Sequence, residues 1–149
     1  MRFEVYVRAE ASEDDLAELQ SRCSLHGIKG DMVTRRHVPA AAIANGARAI
    51  YWRSEIFPVE NEFPEDALLR VVDSLKKVAS DIRLTHDIKF SSEIVGYYSS
   101  SDSPGGFYVS ASLIKSLASV DADLDIDVVH DLEVKDDSIT RDGGDYVVI

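Results

Sequence analysis

The sequence predicts an α+β domain: a two-layer sandwich with a mainly antiparallel sheet of five or six strands and three helices packed on one face. Three observations carry this. Residues 2–8 and 121–128 alternate apolar and polar side chains with period two. Between them, Leu68, Val71, Val72, Leu75 and Val78 recur at the spacing of one helix face. The strands are few, interspersed with helices, and polar on one side, which suits helices on one sheet face and water on the other.

The elements follow in order. In residues 2–8, Phe3, Val5 and Val7 share a face opposite Arg2, Glu4, Tyr6 and Arg8, giving a strand with one wet side. Ser12 followed by Asp15 predicts a capped helix start, with Glu13 and Asp14 suited to the positive end of the helix dipole. Leu16, Leu19 and Cys23 form its apolar stripe, and Gly27 can close it in a left-handed conformation. Residues 28–31 read as a turn and 39–44 as one or two helical turns ending at Asn45-Gly46. A strand is expected over 47–56, a loop over 58–61, and a second helix opened by Pro64. Residues 86–98 return to period two, with Gly96 marking a bulge. A Ser-rich loop then leads into 107–130: a short strand Phe107-Tyr108-Val109, a helix opened by Ser110 with Leu113, Ile114 and Leu117 buried, and a closing strand. In that last strand Ala122, Leu124, Ile126 and Val128 face the core while Asp121, Asp123, Asp125 and Asp127 face the other way, about 6.6–7 Å apart. Two strand-helix-strand units, 2–52 and 107–130, suggest internal duplication.

A chain of 149 residues with 45% hydrophobic and 29% charged content fits one domain, 1–149, with 131–149 as an acidic C-terminal extension. One cysteine, Cys23, allows no internal disulfide and fits a reducing compartment. No apolar run approaches the 18 residues of a membrane helix, and the alternating, acid-bearing N-terminus is unlike a signal peptide, so a cytoplasmic protein is expected. The net charge of −11 is unevenly placed: residues 121–149 hold ten of the 27 acids and two of the 16 bases. Such a field argues against nucleic acid or anionic membrane as a partner and attracts basic proteins. Solubility or protection of a sheet edge explains the acidic strand alone; the further acids Asp131, Glu133, Asp136 and Asp137 make the field more one-sided than solubility requires.

The usual catalytic and metal patterns are missing. A calcium loop starting at Asp121 or Asp123 would place Ile126 or Val128 where glycine is needed, and Leu132 or Val134 where glutamate is needed. Cys23 and His26 lack further nearby zinc ligands. His37, His86 and His130 have no nucleophile motif around them, and Gly105-Gly106 lacks the spacing and lysine of a phosphate loop. His130 falls on the inward parity of its strand, as a histidine at the core edge with a hydrogen bond. Arg35-Arg36-His37 is the one concentrated basic patch and is expected to pair with the domain's own acids. No metal and no cofactor is expected.

Gly30-Asp31 after the first helix, Trp52 in the next strand, Gly106-Phe107-Tyr108-Val109-Ser110 before the third helix and the closing Leu124-Asp125-Ile126-Asp127-Val128 together span most of the chain. In these features it resembles one of the bacterial domain families found among immunity proteins of polymorphic-toxin and contact-dependent growth-inhibition systems. The resemblance implies an α+β domain and a toxin-neutralising role, and brings no catalytic residues. The expectation is therefore a non-catalytic, monomeric binding protein that neutralises a basic toxin, such as a nuclease. Asp121, Asp123, Asp125, Asp127, Asp131 and Glu133 would supply complementary charge, and Tyr97, Tyr98 and Tyr108 apolar anchors. Two alternatives stand beside it: a small enzyme or small-molecule binder with a pocket between sheet and helices, and an oligomer subunit using Tyr146 to Ile149 as an added strand.

Overall fold

The computed structural model describes residues 1–35, 38–46, 48–83, 85–102 and 107–130. Strand β1 (Arg2–Glu10) leads into helix α1 (Glu13–Leu25), strand β2 (Gly30–Thr34), short helix α2 (Ala40–Ala44), and strands β3 (Ile50–Ser54) and β4 (Phe57–Val59). Helix α3 (Pro64–Arg83), strand β5 (Lys89–Tyr98), helix α4 (Ala111–Val120) and strand β6 (Ala122–His130) follow among the described residues. The fold is α+β, with a six-stranded sheet ordered β2-β3-β1-β5-β6 and β4 paired to β1. All pairings are antiparallel except β5 with β6. Leaving α2 and β4 aside, the first six elements run β-α-β-β-α-β in the split β-α-β manner of ferredoxin-like domains; α4 and β6 extend that sheet by one parallel crossover.

Local chemistry sets the helix ends. Ser12 Oγ accepts from Asp15 N at 3.2 Å, and Gly27 (φ 71°) turns the chain beyond α1 so that Ile28 N reaches back to Cys23 O at 2.9 Å. Helix α3 runs past Val78 to bury Ala79 and Ile82 as well. Its stripe, with Leu16, Leu19 and Cys23 of α1 and Leu113, Leu117 and Val120 of α4, covers Val5, Val7, Ala9, Trp52, Phe90 and Ile94 on one sheet face. Full burial of each such aliphatic side chain contributes about 1.5–3 kcal/mol, which makes this layer the anchor of the sheet. No described helix packs on the other face.

Several expectations need correction. Residues 28–31 are not simply a turn: β2 starts at Gly30 and pairs along its whole length with β3, which begins at Ile50 rather than residue 47. Residues 57–59 form β4 rather than a loop; β3 and β4 occupy successive stretches along one side of β1, broken at Glu55-Ile56. Gly96 is no bulge, because pairing runs unbroken from Phe3 through Gly96 to Val128. A Cβ at Gly96 would lie 3.0 Å from the Phe3 ring, so the glycine makes room for that ring. Phe107-Tyr108-Val109 is not a strand. Its groups serve the start of α4: Phe107 packs edge-on against Phe3 at 5.7 Å, Tyr108 N donates to Glu65 Oε1, and Ser110 Oγ caps the helix. The crossover unit is thus β5-α4-β6, matched by β1-α1-β2, whose two strands run parallel with β3 between them. Ile114 is exposed, not buried.

Candidate functional site: the acidic strand and the face beside it

β6 follows α4 through Asp121, a left-handed residue (φ 52°, ψ 46°) whose N–H closes the helix. Its carboxylate accepts from Arg83 at 2.5 Å while Arg83 also donates to Val120 O, so Asp121 belongs to a helix-terminus clamp and not to the strand's row of acids. From Ala122 the chain pairs residue for residue with β5. Strand alternation then sets Leu124 and Ile126, both half-buried, toward α4, and Asp123, Asp125 and Asp127, all exposed, on the face without helices. The parallel ladder places Asp125 beside Glu93 and Asp127 beside Val95.

Asp123 meets Lys89 at 3.2 Å, an exposed pair worth about 0–1 kcal/mol. Asp125 and Asp127 have no ion pair or hydrogen bond among the described residues. Their charge is felt next door. Glu93, whose side chain is 3% exposed, is held above the ordinary carboxylate range by burial first and by Asp125 and Asp127 in addition; Arg8, 3.0 Å away, and the Ser91 hydroxyl counter this only in part.

Inward from the acidic row the same face turns cationic and aromatic. Arg8 and Arg35 lie over the Tyr51 ring at 5.7 and 5.1 Å, Arg53 over Tyr6 at 5.8 Å, and Arg2 over Tyr97 at 4.5 Å. Tyr51 is 1% exposed and Tyr6 is buried, and burial drives the Tyr6 phenol upward, so it stays neutral. Arg35 also pairs with Glu10 and donates to Arg48 O, as expected of the basic patch; Arg36 and His37 lie outside the described residues. Between the two halves sits an open depression of ≈270 Å³ lined by Arg8, Glu10, Lys89, Ser91, Asp123 and Asp125. Arg8 Nε is buried there without a hydrogen-bond partner among the described residues.

The expected site residues are therefore only partly gathered. Asp123, Asp125 and Asp127 stand together, and Tyr97 shares their face, half-buried, its hydroxyl donating to Glu4 at 3.1 Å. Tyr98 points to the helix side and meets the His130 ring edge-on at 4.8 Å. His130 is exposed and meets that ring, with no side-chain hydrogen bond among the described residues. Tyr108, 77% exposed, lies in the helix layer where the starts of α3 and α4 meet at Glu65. Asp131 and Glu133 lie outside the described residues, as do Asp136, Asp137 and Tyr146 to Ile149. The arginine and tyrosine layer and the buried Glu93 were not anticipated; the wet-face parity of Arg2, Tyr6, Arg8 and Glu93 was their signal in the sequence.

Among the described residues no group of three or more His, Cys, Asp or Glu side chains could hold a metal, and no helix is long and apolar enough to cross a membrane. At the sheet–helix interface, the void beside Ser92 measures ≈10 Å³, too small for a substrate. No protein-family model, curated protein or solved structure matches the chain.

Proposed function

We propose that this domain is a non-catalytic binding protein of the cytoplasm that docks a basic protein against the acidic strand, most specifically an immunity protein that neutralises a basic toxin. The observation that carries the reading is the row of Asp123, Asp125 and Asp127, exposed in register on the outermost strand, two of them with no cation beside them among the described residues. Carboxylates held at this regular spacing on a rigid strand offer a partner's Lys or Arg side chains a preformed counter-charge, which speeds and orients encounter. Tyr97 is the tyrosine placed to join such an interface. The resemblance described above supplies the toxin-neutralising part of the proposal.

Affinity capture from cells that encode the protein tests it, with wild type and Asp123→Asn/Asp125→Asn/Asp127→Asn as paired baits. A basic protein retained by the wild type and lost with the variant is expected. Capture of no basic partner, or equal capture by both baits, contradicts the proposal. A second reading, a binder of small zwitterions, draws on the depression between Arg8, Lys89, Asp123 and Asp125. A small-molecule screen by thermal shift, answered only by compounds carrying both charges, would favour it.

A further inference from the structure

We infer that the basic partner docks by adding a strand to the outer edge of β6, and that this strand alternates basic and apolar residues; the inference rests on the reading just given and specifies its geometry. Among the described residues β6 is the last strand in the sheet order and is paired on one side only, over all nine residues from Ala122 to His130. Among the described residues its outer side has no neighbour, so every second residue directs its N–H and C=O away from β5. An unpaired edge of this length is a template for another strand.

The two rows flanking that edge define what can fill it. On one face stand Asp123, Asp125 and Asp127; on the other, Leu124 and Ile126 are only half-buried and Val128 is 48% exposed. A strand laid alongside would set its side chains about 4.5–5.5 Å from these. Basic residues at one parity neutralise the aspartates, and apolar residues at the other finish burying Leu124, Ile126 and Val128. Slipping by one residue exchanges the two sets and sets lysine against leucine, so the register is specified as well as the composition. A second copy of β6 does not fit, because aspartate would face aspartate across the ladder.

The test uses the full chain and four capped synthetic nonapeptides: one alternating Lys and Val, one of the same composition with the lysines blocked together, and two N-methylated versions of the alternating peptide, each methylated at every second amide in one of the two registers. Calorimetry is read beside amide hydrogen exchange of β6. Expected are binding of the alternating peptide at least tenfold tighter than the blocked one, loss of binding in one N-methylated register, and slowed exchange at every second amide of 122–130. If alternating and blocked peptides bind alike, without change in β6 exchange, strand addition is overturned while charge-driven docking stands. If no lysine peptide binds even at low salt, the docking proposal itself fails.

Discussion

Gly30→Ala offers a sharp test of how the chain holds β2 in the sheet. A Cβ at Gly30 would lie 2.3, 2.5 and 2.7 Å from three atoms of the Trp52 indole. Trp52 is fully buried, so its ring cannot swing aside into solvent. The ring is also tied: its Nε1 donates to Gln20 Oε1, and Gln20 Nε2 donates to Gly30 O at 2.9 Å, closing a circuit from α1 through β3 to β2. Overpacking of this kind costs about 1–3 kcal/mol, and losing one hydrogen bond of the circuit adds about 1 kcal/mol. The sum, about 3 kcal/mol, corresponds to a fall in Tm of about 10 °C for a domain of this size. Urea denaturation of wild type, Gly30→Ala, Trp52→Phe and the double variant gives the coupling. The smaller ring should relieve the clash, so Gly30→Ala should cost under about 1 kcal/mol in the Trp52→Phe background. A single-variant cost below about 1 kcal/mol, or equal costs in both backgrounds, would refute this account of the β2 contact.

Three further outcomes follow from buried polar groups and the lone thiol. A carboxyl whose folded pKa is raised contributes stability that is complete below its ordinary value of 4.5 and is lost as pH rises through the folded value. Glu93→Gln, which cannot ionise, should therefore gain on the wild type as pH rises above 4.5, as read by urea midpoints; a gap that is constant or reversed contradicts the burial argument. Ser92 Oγ is fully buried, has no hydrogen-bond partner among the described residues, and borders a void otherwise lined by apolar side chains, so Ser92→Ala should stabilise the fold by about 1 kcal/mol; destabilisation would mean the hydroxyl is satisfied. The Cys23 thiol is buried and pushed up to about 11 by that burial, so a maleimide should label it only on global unfolding, and labelling at the native loop-opening rate would place it elsewhere.

The sequence was informative where a pattern is local. The Ser12 cap, the Gly27 stop, the α3 stripe and the β6 alternation each rest on neighbours within a few residues, and the structure has them, except that Asp121 caps α4 instead of joining β6 and Val128, expected in the core, is exposed. It was silent where long-range pairing decides. Gly30–Thr34 has no alternation that marks it as a strand; it becomes β2 because β3 returns alongside it, and its glycine is needed by Trp52 rather than by a turn. Phe107-Tyr108-Val109 has strand composition, yet Glu65 of α3 takes its amide. The same divide runs through the candidate site. Alternation grouped Asp123, Asp125 and Asp127, and it also implies that Tyr97 and Tyr98 must face opposite ways. The burial of Glu93 depends on Arg8 and on two neighbouring strands, which no local pattern records.

Charge displayed on β6 is what the proposed docking turns on, and the association rate of any basic protein that the affinity capture retains, measured at low and high salt, tests it most directly. Asp123→Asn/Asp125→Asn/Asp127→Asn should slow association at least tenfold at low salt and flatten its salt dependence, with a smaller change in dissociation. A variant that associates at the wild-type rate, with the wild-type salt dependence, would contradict the account.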